Sequence, residues 1–165
     1  MAGPSSGKRD SRIERRLAAI LIADIAGYSK RMGKDETGTL IKVKTLWKEQ
    51  FEPRVVEHHG RIVKLMGDGA LAEFPSVIEA VHSAIAIQRD AGMRNVGAVG
   101  DDRIDLRIGI NLGDIIVEEG DVYGEGVNVA ARLETLSPLG GIAISATAHE
   151  HISGKIEIHF ESFSL

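Results

Sequence analysis

An unbroken apolar run at residues 17–23, closed by Asp24 and followed by Gly27, constrains the fold of this chain more than any other feature. Such a run reads as a buried strand and is far too short to cross a bilayer. Asp24 then stands where the strand leaves the core, and Gly27 lets the backbone turn toward a helix. A second glycine-flanked aspartate occurs in Gly67-Asp68-Gly69, between the strand-like stretches 61–66 and 70–74. That junction suits a tight hairpin turn. With the two strands as neighbours in one sheet, both carboxylates emerge at the same edge, where hard divalent cations such as magnesium find oxygen ligands.

The remaining pattern supplies the other elements. Leu40, Val43, Trp47, Phe51 and Val55 recur at spacings of three and four, which predicts an amphipathic helix over 35–58 with Asp35 as N-cap and a kink or early end at Pro53. Ser76-Val77-Ile78-Glu79 reads as a capping box, opening a helix that runs along Val81, Ala84, Ile85 and Gln88 and stops near Gly92. A glycine-rich loop at 95–102 precedes an alternating strand at 104–111, and Leu112-Gly113-Asp114 is expected to turn a second hairpin over 104–119. A helix follows over 124–136, stopped by Pro138-Leu139-Gly140-Gly141. The last segment reads as a strand, a short helix at 146–151 and one more strand. The order β-α-β-β-α-β predicts an α+β fold of the ferredoxin-like kind, an antiparallel sheet with helices on one face.

Composition narrows the function. The 165 residues, 43% of them hydrophobic, suit a single domain, expected at 17–165 behind a flexible basic arm at 1–16 that includes Arg12, Arg15 and Arg16. A net charge of −4 argues against a general nucleic-acid binder but is compatible with a small anion held through metal. The absence of cysteine removes disulfides and thiolate metal sites, and a soluble, cytoplasmic protein with no membrane insertion is expected. Trp47 and Met66 read as core residues. A histidine zinc site is not expected, because His58 and His59 are adjacent on a helix end and point apart.

Three segments carry candidate chemistry. The backbone amides of Ala26, Gly27, Tyr28 and Ser29, after Asp24, form a helix start that attracts phosphate; the bland reading is a plain Asx-type turn. The Gly67-Asp68-Gly69 turn alone is more often structure than site. On the helix beginning near Gly124, Asn128 and Arg132 are four apart and share a face, so an amide and a guanidinium can meet sugar and phosphate oxygens together; Arg132 could equally pair with Glu125 or Glu134 on an exposed surface. Ala130 and Ala131 suggest a face that something approaches closely.

Together these motifs resemble those of the class III nucleotidyl cyclases, in the right order across about 17–145. Residues 22–28 are similar to the family's first metal motif, residues 64–68 to its second, and residues 121–132 to its third, with the short arm of a bacterial branch before Asp121. The resemblance implies an adenylate cyclase making 3′,5′-cyclic AMP and pyrophosphate from ATP. Asp24, Asp68 and the Ile25 carbonyl would bind two Mg2+ or Mn2+ ions, Lys64 and Asp121 would contact the purine, Asn128 would orient the ribose, and Arg132 would stabilise charge on the α-phosphate. It also implies a homodimer with both sites at its interface. Lys64 and Asp121 favour adenine, since an ammonium donates to N1 and a carboxylate accepts from the exocyclic amine. Guanylate cyclase and a nucleotide-binding or dimerisation module with little or no turnover are the alternatives. The family continues with strands bearing a phosphate-contacting lysine, whereas Lys155 is the last lysine here, so a catalytic domain lacking its last strands is expected.

Overall fold

A computed structural model of the chain describes residues 13–159. Its sheet is centred on β1 (Glu14–Ile25), which pairs antiparallel with β3 (Gly69–Phe74) on one side and β4 (Leu106–Glu118) on the other. Beyond β3 lies β2 (Arg61–Met66), and beyond β4 lie β5 (Asp121–Tyr123), antiparallel, and β6 (Ile142–Ile144), parallel. β1 reaches further back than the apolar run suggests. Arg15 and Arg16, expected in a solvated arm, lie within it, and the Arg16 guanidinium donates to both carboxylate oxygens of Glu73 on β3 at 2.7 and 2.9 Å. Residues 1–12 of the expected arm, Arg12 among them, lie outside the described residues.

Successive side chains of β1 point to opposite faces of the sheet. Ala19, Leu21, Ala23 and Ile25 join one cluster, whereas Ala18, Ile20 and Ile22 join another. On the first face pack α2 (Glu36–Leu46), α3 (Glu52–Glu57), α4 (Val77–Asn95) and α6 (Ala146–Ile152), so the helices of the β-α-β-β-α-β unit cover one face as expected. α5 (Glu125–Leu136) lies outside that unit and packs on the opposite face, where Ala130 meets Ala18, Ile20 and Ile22. The close approach foreseen beside Ala130 is made by the sheet itself: a Cβ on Gly109 of β4 would stand 2.4 Å from Ala130 O and 2.4 Å from Glu134 N.

The expected caps are present. The Asp35 carboxylate accepts from the Gly38 amide at 3.0 Å, and the Ser76 hydroxyl accepts from the Glu79 amide at 3.2 Å. The predicted long helix is instead three pieces, α2, a π-helical turn at Trp47–Phe51 and α3, the turn lying just ahead of Pro53, which cannot donate to a regular ladder. A further helix, α1 (Tyr28–Lys34), fills the stretch before Asp35. α4 passes through Gly92 to Asn95, whose buried side chain closes the helix end by exchanging hydrogen bonds with the Ile104 backbone.

The second hairpin turns elsewhere than expected. β4 continues through Leu112-Gly113-Asp114, and the chain reverses at Glu119 and Gly120, both with positive φ, to pair Glu118 with Asp121. Gly113 serves contact rather than turning, since a Cβ there would lie 3.1 Å from Gly126 Cα on α5. The final expected strand falls partly outside the described residues, and 157–159 are not in a strand.

Candidate functional site

β1 and the β2–β3 hairpin bring the two aspartates together. Asp24 pairs in register with Gly69, and the Ile25 amide donates to Asp68 O at 2.8 Å, so the residue after Asp24 is tied to the hairpin tip. Trp47, buried as expected, holds the same tip through Nε1 to Gly67 O at 3.2 Å. Met66 is not a core residue; it is 48% exposed near the end of the hairpin arm.

Asp24 points to the face that α5 covers, and there it meets Glu134, whose sequence context suggests only a surface partner for Arg132. Glu134 is 6% exposed and hydrogen-bonded to Asp24. Its carboxyl is pushed up to about 8, first by burial, then by the hydrogen bond and the charge of Asp24, with Asp68 adding to the rise and Arg107 opposing it. Arg107 is the β4 partner of Asp24. Asp24 Oδ1 and Glu134 Oε1 are both buried without a hydrogen-bond partner. Each such atom costs about 1–3 kcal/mol, so this end of the sheet is held together against its own polarity. An orphaned carboxylate oxygen beside a second aspartate is what a divalent cation would satisfy, and the all-oxygen set of Asp24, Asp68 and the Ile25 carbonyl fits magnesium or manganese. Among the described residues no group of three or more His, Asp or Glu forms a ready metal cluster, so substrate oxygens or water would complete the shell.

At the far end of the strand order the charges are already matched. Lys64 Nζ on β2 lies 3.1 Å from Asp121 Oδ1 on β5, and Arg61 Nη1 donates to Gly120 O at 3.3 Å, so the sheet curls until its edges touch. Asp121 is held below the usual carboxylate range, first by a hydrogen bond with the Tyr123 side chain, then by the Val122 amide at 2.7 Å and by Lys64. Lys64 also sits 5.6 Å over the Tyr123 ring. Tyr123 was missed in sequence, although residues two apart on a strand share a face.

α5 carries Asn128 and Arg132 on its exposed side, as their spacing requires. Arg132 Nη2 reaches Glu125 Oε1 at 3.3 Å, with both side chains mostly exposed, a weak contact that leaves the guanidinium accessible. Gly126, Ala130 and Glu134, each four apart, form the buried stripe of the same helix. That spacing could have exposed the role of Glu134 in sequence.

The expected phosphate-binding amides are only partly available. Ala26 N–H donates to Asp105 O at 3.0 Å, so it cannot serve; the strand pairing of this segment extends one residue past Ile25. Gly27, in the left-handed region, starts α1 with no side-chain cap, ahead of Tyr28 and Ser29. His58 and His59 do not point apart as expected: His59 leaves the helix with a positive φ, and His58 Nδ1 and His59 Nδ1 lie 3.4 and 3.6 Å from the same Glu79 oxygen. One open cavity of about 80 Å3 lies beside α1 and α2, lined by residues including Arg31, Asp35, Lys42 and Ile104 but by none of Asp24, Asp68, Lys64 or Asp121.

Residues 14–164 match the adenylate and guanylate cyclase catalytic domain, and the chain belongs to that family. It is 49% identical over 148 residues to the putative adenylate cyclase 3 of Rhizobium meliloti, covering 90% of this chain and 25% of that protein. To an adenylate cyclase of Streptomyces coelicolor it is 28% identical, over 89% of this chain and 37% of the relative. The chain thus spans about a quarter to two fifths of the length of these relatives. The crystal structure of an adenylate/guanylate cyclase/hydrolase from Silicibacter pomeroyi superposes with a TM-score of 0.86 at 42% identity, covering 93% of this chain and 89% of that one. The adenylyl cyclase CyaB from P. aeruginosa shares the fold, with a TM-score of 0.74 at 22% identity over 87% of this chain and 83% of that one. Among the described residues no helix is long and apolar enough to cross a membrane.

Proposed function

We propose that this chain is the catalytic domain of an adenylate cyclase, converting ATP to 3′,5′-cyclic AMP and pyrophosphate at sites shared between two copies. The observation that carries the reading is the buried, unpartnered Asp24 Oδ1 beside Asp68. Asp24, Asp68 and the Ile25 carbonyl would hold two divalent cations, magnesium or manganese. The chemistry such cations supply when bound is acidification of the ribose 3′-hydroxyl and neutralisation of the charge on departing pyrophosphate.

The chain's own groups supply the rest. Lys64 donates to adenine N1 and Asp121 accepts from the exocyclic amine, an edge pattern that guanine does not offer. The contacts of Asp121 with Tyr123 and Val122 keep that carboxylate ionised and oriented as an acceptor. Asn128 orients the ribose. Arg132 stabilises the negative charge that develops on the α-phosphate as the 3′-oxygen attacks. The amides of Gly27, Tyr28 and Ser29 meet phosphate oxygens at the start of α1. One protomer gives the aspartates and its partner gives Lys64, Asp121, Asn128 and Arg132, so a homodimer has two equivalent sites. ATP and magnesium place this work in the cytoplasm.

The purified chain incubated with manganese and ATP, or with GTP in parallel, tests the reading by chromatography of the cyclic product. Cyclic AMP formed in preference to cyclic GMP is expected. Preference for GTP would reassign the substrate, and nucleotide binding without any cyclic product would make the chain a binding module.

A further inference from the structure

Glu134 is the buried acid that the proposed reaction leaves without a task. Its backbone is seated on the sheet: a Cβ on Gly109 would lie 2.9 Å from Glu134 Cα as well as 2.4 Å from its nitrogen. Gly109 pairs with Ile22, two residues before Asp24 on the same face of β1. The strand pairing and the helix seat therefore deliver the two carboxyl groups to one point, where they are hydrogen-bonded and each keeps one buried oxygen without a partner. Stability does not account for this choice. The single hydrogen bond between the two carboxyl groups is set against two buried oxygens left without a partner.

We propose that Glu134 is a positioning residue, which through its contact with Asp24 fixes that carboxylate in the orientation that receives a divalent cation. The proposal rests on the reading of Asp24 and Asp68 as cation ligands. It makes α5 a two-sided element: the exposed face presents Asn128 and Arg132, and the buried face sets the carboxylate behind it.

The test titrates Mn2+ alone, without nucleotide, into the full chain and follows free Mn2+ by electron paramagnetic resonance, with melting temperatures measured in chelator. Glu134→Gln keeps the shape and the polar contact with Asp24 and is expected to bind Mn2+ as the wild type does. Glu134→Met keeps the shape alone and is expected to lose at least about tenfold in Mn2+ affinity, the usual lower bound for a lost supporting contact, while a cooperative melting transition in chelator shows that it is folded. Should the Met variant fail to fold, Glu134→Ala carries the same affinity expectation. Wild-type Mn2+ affinity in the folded Met or Ala variant overturns the proposal, and so does a Gln variant weakened as much as Met. Asp24→Ala and Asp68→Ala separate this from the underlying reading: if both bind Mn2+ as tightly as wild type, the cation assignment itself fails.

Discussion

Beside the tip of the β2–β3 hairpin, Asp24 on β1 and Glu134 on α5 each bury one oxygen without a partner, whereas Lys64, Asp121 and Tyr123, where β2 meets β5, are partly exposed and satisfy one another. The first region is costly until something positive arrives. The second is stable without any ligand, and adenine would only exchange one set of hydrogen bonds for another. A binding site can thus be made of a half that needs its ligand and a half that merely accepts it. In the proposed function, the needy half would fix where the chemistry happens and the contented half which base is used.

The comparison breaks most sharply if the acid end is dispensable. Asp68→Ala and Arg132→Ala are each expected to lower cyclic AMP formation at saturating ATP by at least the roughly 10²–10³-fold that loss of a charge-stabilising group costs. Activity within a few-fold of wild type in either variant would remove that residue from the reaction. Next comes the seat of α5 on β4. Gly109→Ala drives a methyl into the helix backbone and is expected to cost about 1–3 kcal/mol in urea unfolding, because neither Ala130 O nor Glu134 N is the end of a flexible side chain. The contented half is probed by Lys64→Glu with Asp121→Cys, which should shift the ATP-to-GTP ratio of turnover at least about tenfold toward GTP through mismatched hydrogen bonds. An unchanged ratio would mean that this pair does not read the base.

The smallest effect is a pH slope. The Glu134 carboxyl titrates near about 8 in the folded chain against an ordinary 4.5. Between those values the folded state holds a proton that the unfolded state has released, so this group's contribution to stability is complete below 4.5 and is lost as pH rises toward about 8. Urea unfolding in chelator should therefore show stability declining across that window in the wild type, and the decline should shrink in Glu134→Met. Equal slopes in the two proteins would contradict it.

Much of this was legible in the sequence where one local rule governs a residue. Asp35 and Ser76 cap helices because a short polar side chain ahead of an apolar pattern has little else to do, and Asp24 and Asp68 stand at strand ends that their glycines mark. The failures arise where one residue type serves two purposes. Gly113 reads as a turn but makes room for α5, so the reversal was placed about six residues early. Ala26 reads as part of a free helix start, yet its amide is consumed by Asp105 across the sheet. Glu134 reads as a surface acid beside Arg132, because nothing in a single chain announces that the opposite face of the sheet is also covered. Only the four-residue spacing from Gly126 and Ala130 hints at its burial.

The division of the site between two copies is tested most directly by mixing. Asp68→Ala and Arg132→Ala chains, each nearly inactive alone, are unfolded, combined in equal amounts and refolded together, and cyclic AMP formation is measured. Half of the dimers are then mixed, with one of two sites intact, so roughly a quarter of wild-type activity is expected to return. A mixture no more active than its components would contradict the account, because both residues would then belong to a site built within one chain.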